Sequence, residues 1–316
     1  MTNNPARLLA AFYGAAWAIL PDVHASMEQV LLRWAAGVKL DDPDIAAAIG
    51  DKPAIHAARR SNTASASGGI IGVLPVYGVI GHRANLVADS SSGINTSTEI
   101  LQRAFSAMVA DSNVRAIVLD IDSPGGSVAG VQELADSIRA ARGSKPIVAV
   151  ANSLAASAAY WIGASADEFV VTPSGEVGSI GVFAAHQDVS KAAEIKGVKT
   201  TLISAGKYKT EGNPFEALSG EAQSAMQARV NDYYADFVRA VAQSRNDTQA
   251  NVRDGYGEGR VLGATKAVRA NLVDRIATFD QVITDLGARL SSAAPARAIT
   301  PTPRRAAAER ALTLLD

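Results

Sequence analysis

The chain has no cysteine. That excludes disulfides, a cysteine nucleophile and thiolate metal sites, and it fits a reducing cytoplasm. Charge of either sign is not in excess, for 30 basic residues face 31 acidic ones. A net charge of −1 gives no general pull toward nucleic acid or an anionic membrane. No apolar run reaches the length of a membrane-spanning helix. Of the four histidines, His24, His56, His82 and His186, no two stand at helical metal-binding spacing, so no zinc site and no metal is expected. No internal repeat is present. What remains is an ordinary globular composition, 48% hydrophobic over 316 residues, enough for one large domain with extensions.

Residues 1–56 read as a helical N-terminal extension. The apolar run Leu8–Leu20, ahead of Val23-His-Ala25, has the outline of a secretory signal. Tyr13, Gly14 and Trp17 interrupt it, and the favoured reading is a short buried helix closed by Pro21. Residues 57–69 are small and polar and read as a linker. From Ile70 the pattern becomes strands alternating with helices. Ile70–Ile80 reads as a strand, Thr96 and Glu99 as a capping box for a helix to Ala110, and Ala116–Ile121 as a buried strand. A helix over Ser127–Arg142, a strand over Ile147–Ala151, a helix over Ser157–Ala166 and a strand over Glu168–Thr172 follow. Val182, Phe183 and Thr200–Ile203 add strands, and a long helix covers Ser219–Ser244. Uniformly apolar strands between helices predict an α/β fold with covered sheets over residues 70–286. Residues 287–316 read as a flexible Ala/Arg/Pro-rich tail with a short helix at Arg304–Leu315.

Three segments carry chemistry. The turn Asp122-Ser-Pro-Gly-Gly-Ser127 follows a buried strand and precedes a helix; two glycines there can expose backbone N–H groups to an anion. No Gly-Lys-Ser/Thr follows, so it is not a P-loop. Ser157 sits among Ala155, Ala156, Ala158 and Ala159 just after a strand, where small neighbours let a peptide backbone approach. With Gly126, the Ala158 N–H could form an oxyanion hole; losing one such donor typically costs about 3–4 kcal/mol. Lys209 is a candidate base. A lysine at its ordinary pKa of about 10.4 is neutral in roughly one molecule in 2,500 at pH 7, so such a base needs about 4 kcal/mol of destabilisation of its cation. Tyr208, Pro214 and Phe215 are placed to help dehydrate it. His186, trailed by Asp188, is the alternative base of a Ser-His-Asp triad.

Taken together, these segments resemble the S49 peptidases, the signal peptide peptidase A group, and especially phage-encoded members associated with capsid assembly. The resemblance covers about Ile70–Asp280. It rests on the Asp122–Ser127 turn, Ser153-Leu-Ala-Ala-Ser-Ala-Ala-Tyr-Trp161, Thr172-Pro-Ser-Gly-Glu-Val-Gly-Ser-Ile-Gly-Val182, Ser204-Ala-Gly-Lys-Tyr-Lys209, Asn213-Pro-Phe215, Gly259-Arg-Val261 and Leu272-Val-Asp274. It implies a Clp/crotonase-like fold of stacked ββα units and a serine endopeptidase working through an acyl-enzyme, without a cofactor. It puts the nucleophile on Ser157, the base on Lys209, a lysine-orienting serine on Ser179 and the oxyanion donors on Gly126 and Ala158. It also implies a homo-oligomeric ring whose dyad is shared between protomers.

Instead of the membrane anchor typical of bacterial signal peptide peptidases, the chain has a helical N-terminus and a basic tail. This favours the phage branch, acting on scaffold, portal or capsid proteins in a procapsid or the host cytoplasm. The alternatives are a signal-peptide-degrading bacterial peptidase, a Clp-like Ser157–His186 hydrolase, and a non-catalytic scaffold-binding head component. A crotonase-like acyl-CoA enzyme would leave the serine and lysine segments without purpose. Self-cleavage sites are expected in 57–69 and 293–303.

Overall fold

A computed structural model describes residues 5–37, 63–66, 69–83 and 96–292. The N-terminal part is a helix, α1 (Pro5–Gly14), a short strand, β1 (Trp17–Ile19), and a second helix, α2 (Pro21–Ala35). The single helix expected over Leu8–Leu20 is therefore two elements. Pro21 opens α2 at its first turn, where a missing N–H costs nothing, rather than closing a helix before it.

Two strands follow, β2 (Thr63–Ala66) and β3 (Gly69–Tyr77), antiparallel to one another. Residues 63–66, expected in a linker, are thus a sheet edge; backbone pairing gives order that their composition does not suggest. Next come β4 (Ile80–Gly81), β5 (Thr96–Ser97) and α3 (Thr98–Ala110), whose N-cap is Ser97, accepting from the Ile100 N–H. The long strand β6 (Val114–Ser123) leads to β7 (Gly125–Ser127) and α4 (Val131–Ala140). The helix expected from Ser127 starts four residues later, because the glycine turn continues as a strand.

The chain then forms β8 (Ile147–Ala156), α5 (Ala158–Ala164), β9 (Glu168–Val171) and β10 (Glu176–Gly178). A short helix, α6 (Ser190–Ile195), precedes the long α7 (Gly220–Arg245). The last elements are α8 (Gln249–Gly255), β11 (Val261–Gly263), α9 (Ala264–Arg269), β12 (Arg275–Ile276) and α10 (Phe279–Ser292). Helix α10 runs past the expected tail boundary at 287; Gly287 and Leu290 are buried on it. His56, the polar loop at 89–95, the remainder of the 57–69 linker and the tail from 293 with its expected helix lie outside the described residues.

The larger sheet runs β11-β10-β8-β6-β3-β2, with β9 on β8 and β12 on β9. The pairs β3–β6, β6–β8, β8–β9 and β8–β10 are parallel, as the α/β reading predicts. Strand β6 is buried on both faces, which explains its continuous apolar run. Ile117, Leu119 and Ile121 point into the core shared with α3, α4, α5 and α7. Ala116 and Val118 point the other way, onto Val282, Leu286 and Leu290 of α10. A smaller sheet has the order β1-β7-β4-β5. Among the described residues no helix is long and apolar enough to cross a membrane.

Residues 181–219 are the exception to this order. Apart from α6 they hold little regular structure, and Thr200–Ile203, expected as a strand, is exposed coil. A β-branched run has no strand-forming tendency of its own without an edge to pair with, and this segment has none among the described residues. Helix α7 is buried at Phe237, Val238, Val241 and Ala242, whereas Tyr233 toward its N-terminal half is exposed.

Candidate active site

Strand β8 presents the candidate nucleophile through a change of partner along its length. Its first half, Val148–Ala151, pairs with β9, and its last residues, Leu154–Ala156, pair with β10. Ser153 at the break has φ 124°, and the β6–β8 register shifts beside it, between Ile121 and Ser123. The kink carries Ala156 toward the glycine strand β7.

Ser157 is the next residue, between β8 and α5, with φ 55° and ψ −115°. A serine gains nothing locally from that conformation, which costs about 1–3 kcal/mol and persists only where the surroundings enforce it. The enforcement is visible. The Ser157 N–H donates to the Gly178 carbonyl at 2.7 Å, and its carbonyl accepts from the Trp161 N–H at 3.0 Å. Behind it α5 is buried throughout. Trp161 stacks on Phe237 of α7 at 4.6 Å, and the Tyr160 hydroxyl donates to the Leu272 carbonyl at 2.9 Å. Arg142 closes the far end of α5, donating to the Ala164 and Ser165 carbonyls and, across to α7, to that of Ser244. A serine at a sharp strand-to-helix turn is a recurrent way to present a nucleophile.

The glycine turn is held by its own serine. Ser123 Oγ donates to the Gly78 carbonyl at 2.6 Å and accepts from the Gly125 N–H at 3.2 Å. The two glycines are required by close approach on both sides. A Cβ on Gly126 would stand 1.8 Å from the Ile80 carbonyl oxygen of β4, and one on Gly125 2.2 Å from that of Ala18 in β1. Gly126 is therefore the middle of a strand paired on both sides, by β1 and β4, not the start of a helix, and its N–H has no helix dipole behind it. Ala158 is the first residue of α5 and fully buried.

The other site residues are spread more widely. Ser179, one residue beyond β10, is buried at φ 54°, and its N–H donates to the Arg260 carbonyl at 2.8 Å. The Ser157 hydroxyl has one partner among the described residues, the Gly181 carbonyl at a long 3.4 Å. Lys209 lies on the exposed 204–213 loop, its side chain without a partner among the described residues. Tyr208 and Phe215, expected to dehydrate it, are themselves exposed. The neighbouring Lys207 is tied at the surface to Glu221 at 3.0 Å and to the Tyr208 hydroxyl, and these bonds raise its pKa. His186 Nε2 lies 3.0 Å from the Asn213 carbonyl, its hydrogen-bond partner in place of Ser157. Asp188 caps Ser190, and those bonds hold its carboxyl below the usual carboxylate range.

One set of residues was missed by reading the sequence. Trp17, Ala18 and Ile19 pair with Ser127, Gly126 and Gly125, and Trp17 forms an antiparallel bridge with Phe183. The N-terminal strand thus lies between the glycine strand and the segment that the Ser157 hydroxyl faces.

The α/β core thus holds a buried serine in a strained strand-to-helix turn beside a glycine strand. Residues 139–292 match the pattern of peptidase family S49. Head-tail preconnector protein GP5 of Enterobacteria phage P21 is 35% identical over 225 residues, covering 70% of this chain and 44% of that protein. Capsid assembly protease C of Escherichia phage lambda is 34% identical over 216 residues, covering 68% and 48%. The chain therefore spans about half the length of these curated relatives. A solved ClpP1 mutant from Listeria monocytogenes aligns over 67% of this chain and 94% of its own, with a TM-score of 0.43 and 14% identity.

Proposed function

We propose that this chain is a serine endopeptidase in which Ser157 is the nucleophile and Lys209 of a neighbouring copy is the general base. The strained backbone of Ser157, buried at the β8–α5 junction, carries the reading. The base takes the proton from Oγ as that oxygen attacks a peptide carbonyl carbon. The Gly126 and Ala158 N–H groups hold the oxyanion, the base returns the proton to the leaving amine, and water hydrolyses the acyl-enzyme ester. Ser179, two residues from Gly181, orients the lysine.

The intermolecular dyad is supported by what surrounds Lys209. Alone in water its ammonium is fully solvated, and a lysine base needs a dry setting. Ile195, Val198, Leu202, Ile203, Tyr208 and Phe215 are exposed on the same 181–219 segment. A second copy covering that surface would bury apolar area and dehydrate the lysine in one step, giving a closed homo-oligomer. The phage relatives' names support a role in processing scaffold, portal or capsid proteins in a procapsid or the host cytoplasm.

The test is complementation. Ser157→Ala and Lys209→Ala proteins are each expected to be inactive. If the dyad is shared, dissociating and reassembling an equal mixture restores about a quarter of wild-type activity, because one interface in four then pairs an intact serine with an intact lysine. A mixture that stays inactive beside an active wild type would count against a shared dyad.

A further inference from the structure

We infer that β1 (Trp17–Ile19) occupies the groove that receives the substrate, so that the chain is self-blocked until a substrate strand displaces it; this rests on the peptidase reading above. The hydrogen-bond ladder carries the argument. The Val128 N–H donates to the Ala16 carbonyl at 3.1 Å, and the Leu20 N–H donates to the Pro124 carbonyl at 3.0 Å. In an antiparallel pair such bonded positions recur every second residue. The pair between them, Ala18 and Gly126, is therefore also a bonded one, and the Gly126 N–H is directed at the Ala18 carbonyl. That N–H is the one assigned to the oxyanion. The Ala18 carbonyl thus stands where a scissile carbonyl would stand.

The other wall confirms the seating. Trp17 and Phe183 exchange both backbone bonds, at 2.8 and 2.9 Å, and the Ser157 hydroxyl meets the same segment at Gly181. A Cβ placed on Gly125 would lie 2.2 Å from the Ala18 oxygen and 3.0 Å from that of Ala156, the residue before Ser157. Strand addition between two walls is a general mode of peptide recognition, with backbone bonds for affinity and alternate side chains for selection.

The block is anchored from outside the groove. The Trp17 indole donates to the Phe12 carbonyl at 3.0 Å, and Phe12, Trp17 and Phe183 all pack around the His24 ring. Ala18 is wholly buried, and Trp17 and Ile19 nearly so. The groove therefore takes an extended peptide with a small residue at the Ala18 position and bulky apolar residues on either side.

A fluorescent peptide of residues 13–22 is the probe, its binding read by anisotropy on full-length protein. Because the chain has no cysteine, Ala16→Cys with Val128→Cys makes a lock; bonded antiparallel pairs have Cα atoms about 5.5 Å apart, within disulfide reach. Trp17→Ala with Ile19→Ala makes a release, removing two buried anchors. The release should bind the peptide at least about tenfold more tightly than wild type. The oxidised lock should not bind it, and reduction should restore binding. A peptide with phenylalanine at the Ala18 position should fail on the release variant.

An oxidised lock that binds as well as the reduced form would overturn the inference, as would peptide binding to no form. The lock keeps the test open should the release variant fold poorly. Catalysis is scored separately: the expected binding pattern without Ser157-dependent cleavage would leave the block standing and remove the peptidase reading.

Discussion

Replacing Ser157 by glycine tests the strain on which the nucleophile assignment depends. At φ 55° and ψ −115° a residue with a Cβ costs about 1–3 kcal/mol, which glycine does not incur. Glycine has its own cost, about 0.5–1 kcal/mol of additional chain entropy lost on folding. The reference is Ser157→Ala, which already lacks the hydroxyl and its long contact to the Gly181 carbonyl, so the two variants differ only in Cβ and backbone freedom. The difference favours Ser157→Gly by about 1 kcal/mol, or about 2–4 °C in Tm for a domain of this size. Calorimetry or urea melts of both variants at matched concentration read it directly. In an ordinary α or β conformation the sign reverses, and a glycine variant melting below the alanine variant would refute the claim of enforced strain.

Gly126→Ala brings a Cβ to 1.8 Å from the Ile80 carbonyl, which forces β4 and β7 apart and moves the N–H proposed to hold the oxyanion. A loss of about 10²–10³ in kcat is expected; turnover within about threefold of wild type would argue that Gly126 is not a donor. His24 gives the molecule an acid-sensitive N-terminal anchor. Burial lowers its pKa below the ordinary 6.5, Glu28 only partly opposing this, and its buried Nε2 has no partner among the described residues. Above about pH 6.5 the ring is neutral folded or unfolded; below it the unfolded chain binds the proton first, so stability falls as pH drops. With the intrinsic pH dependence of exchange divided out, amide protection across residues 8–35 should fall from pH 8 to pH 5.5 in wild type and stay level in His24→Phe; equal slopes would contradict this.

The central strands were readable because burial on both faces leaves continuous apolar runs such as Ala116–Ile121. Ser157 and the paired glycines were readable as residue types at a strand-to-helix boundary, but their constraints were not. The positive φ at Ser153 and Ser157 comes from β8 changing partner, and the need for glycine at 125 and 126 comes from backbones that arrive from residues 18 and 80. Strand β1 was hidden for the same reason. Trp17-Ala-Ile is too short to show a period, and pairing with β7 and Phe183 makes it a strand. Thr200–Ile203 erred the opposite way, strand-like in composition with no edge to join among the described residues. Lys209 was reached through its motif, not through a contact, and within one chain it faces solvent.

The most direct measurement is a mass-spectrometric time course of an unfolded protein substrate with wild type, Ser157→Ala, Lys209→Ala and His186→Ala. The account predicts cleavage by wild type and His186→Ala, and none by the serine or lysine variant. Cleavage that survives Ser157→Ala, or that is lost with His186 but kept without Lys209, would contradict it.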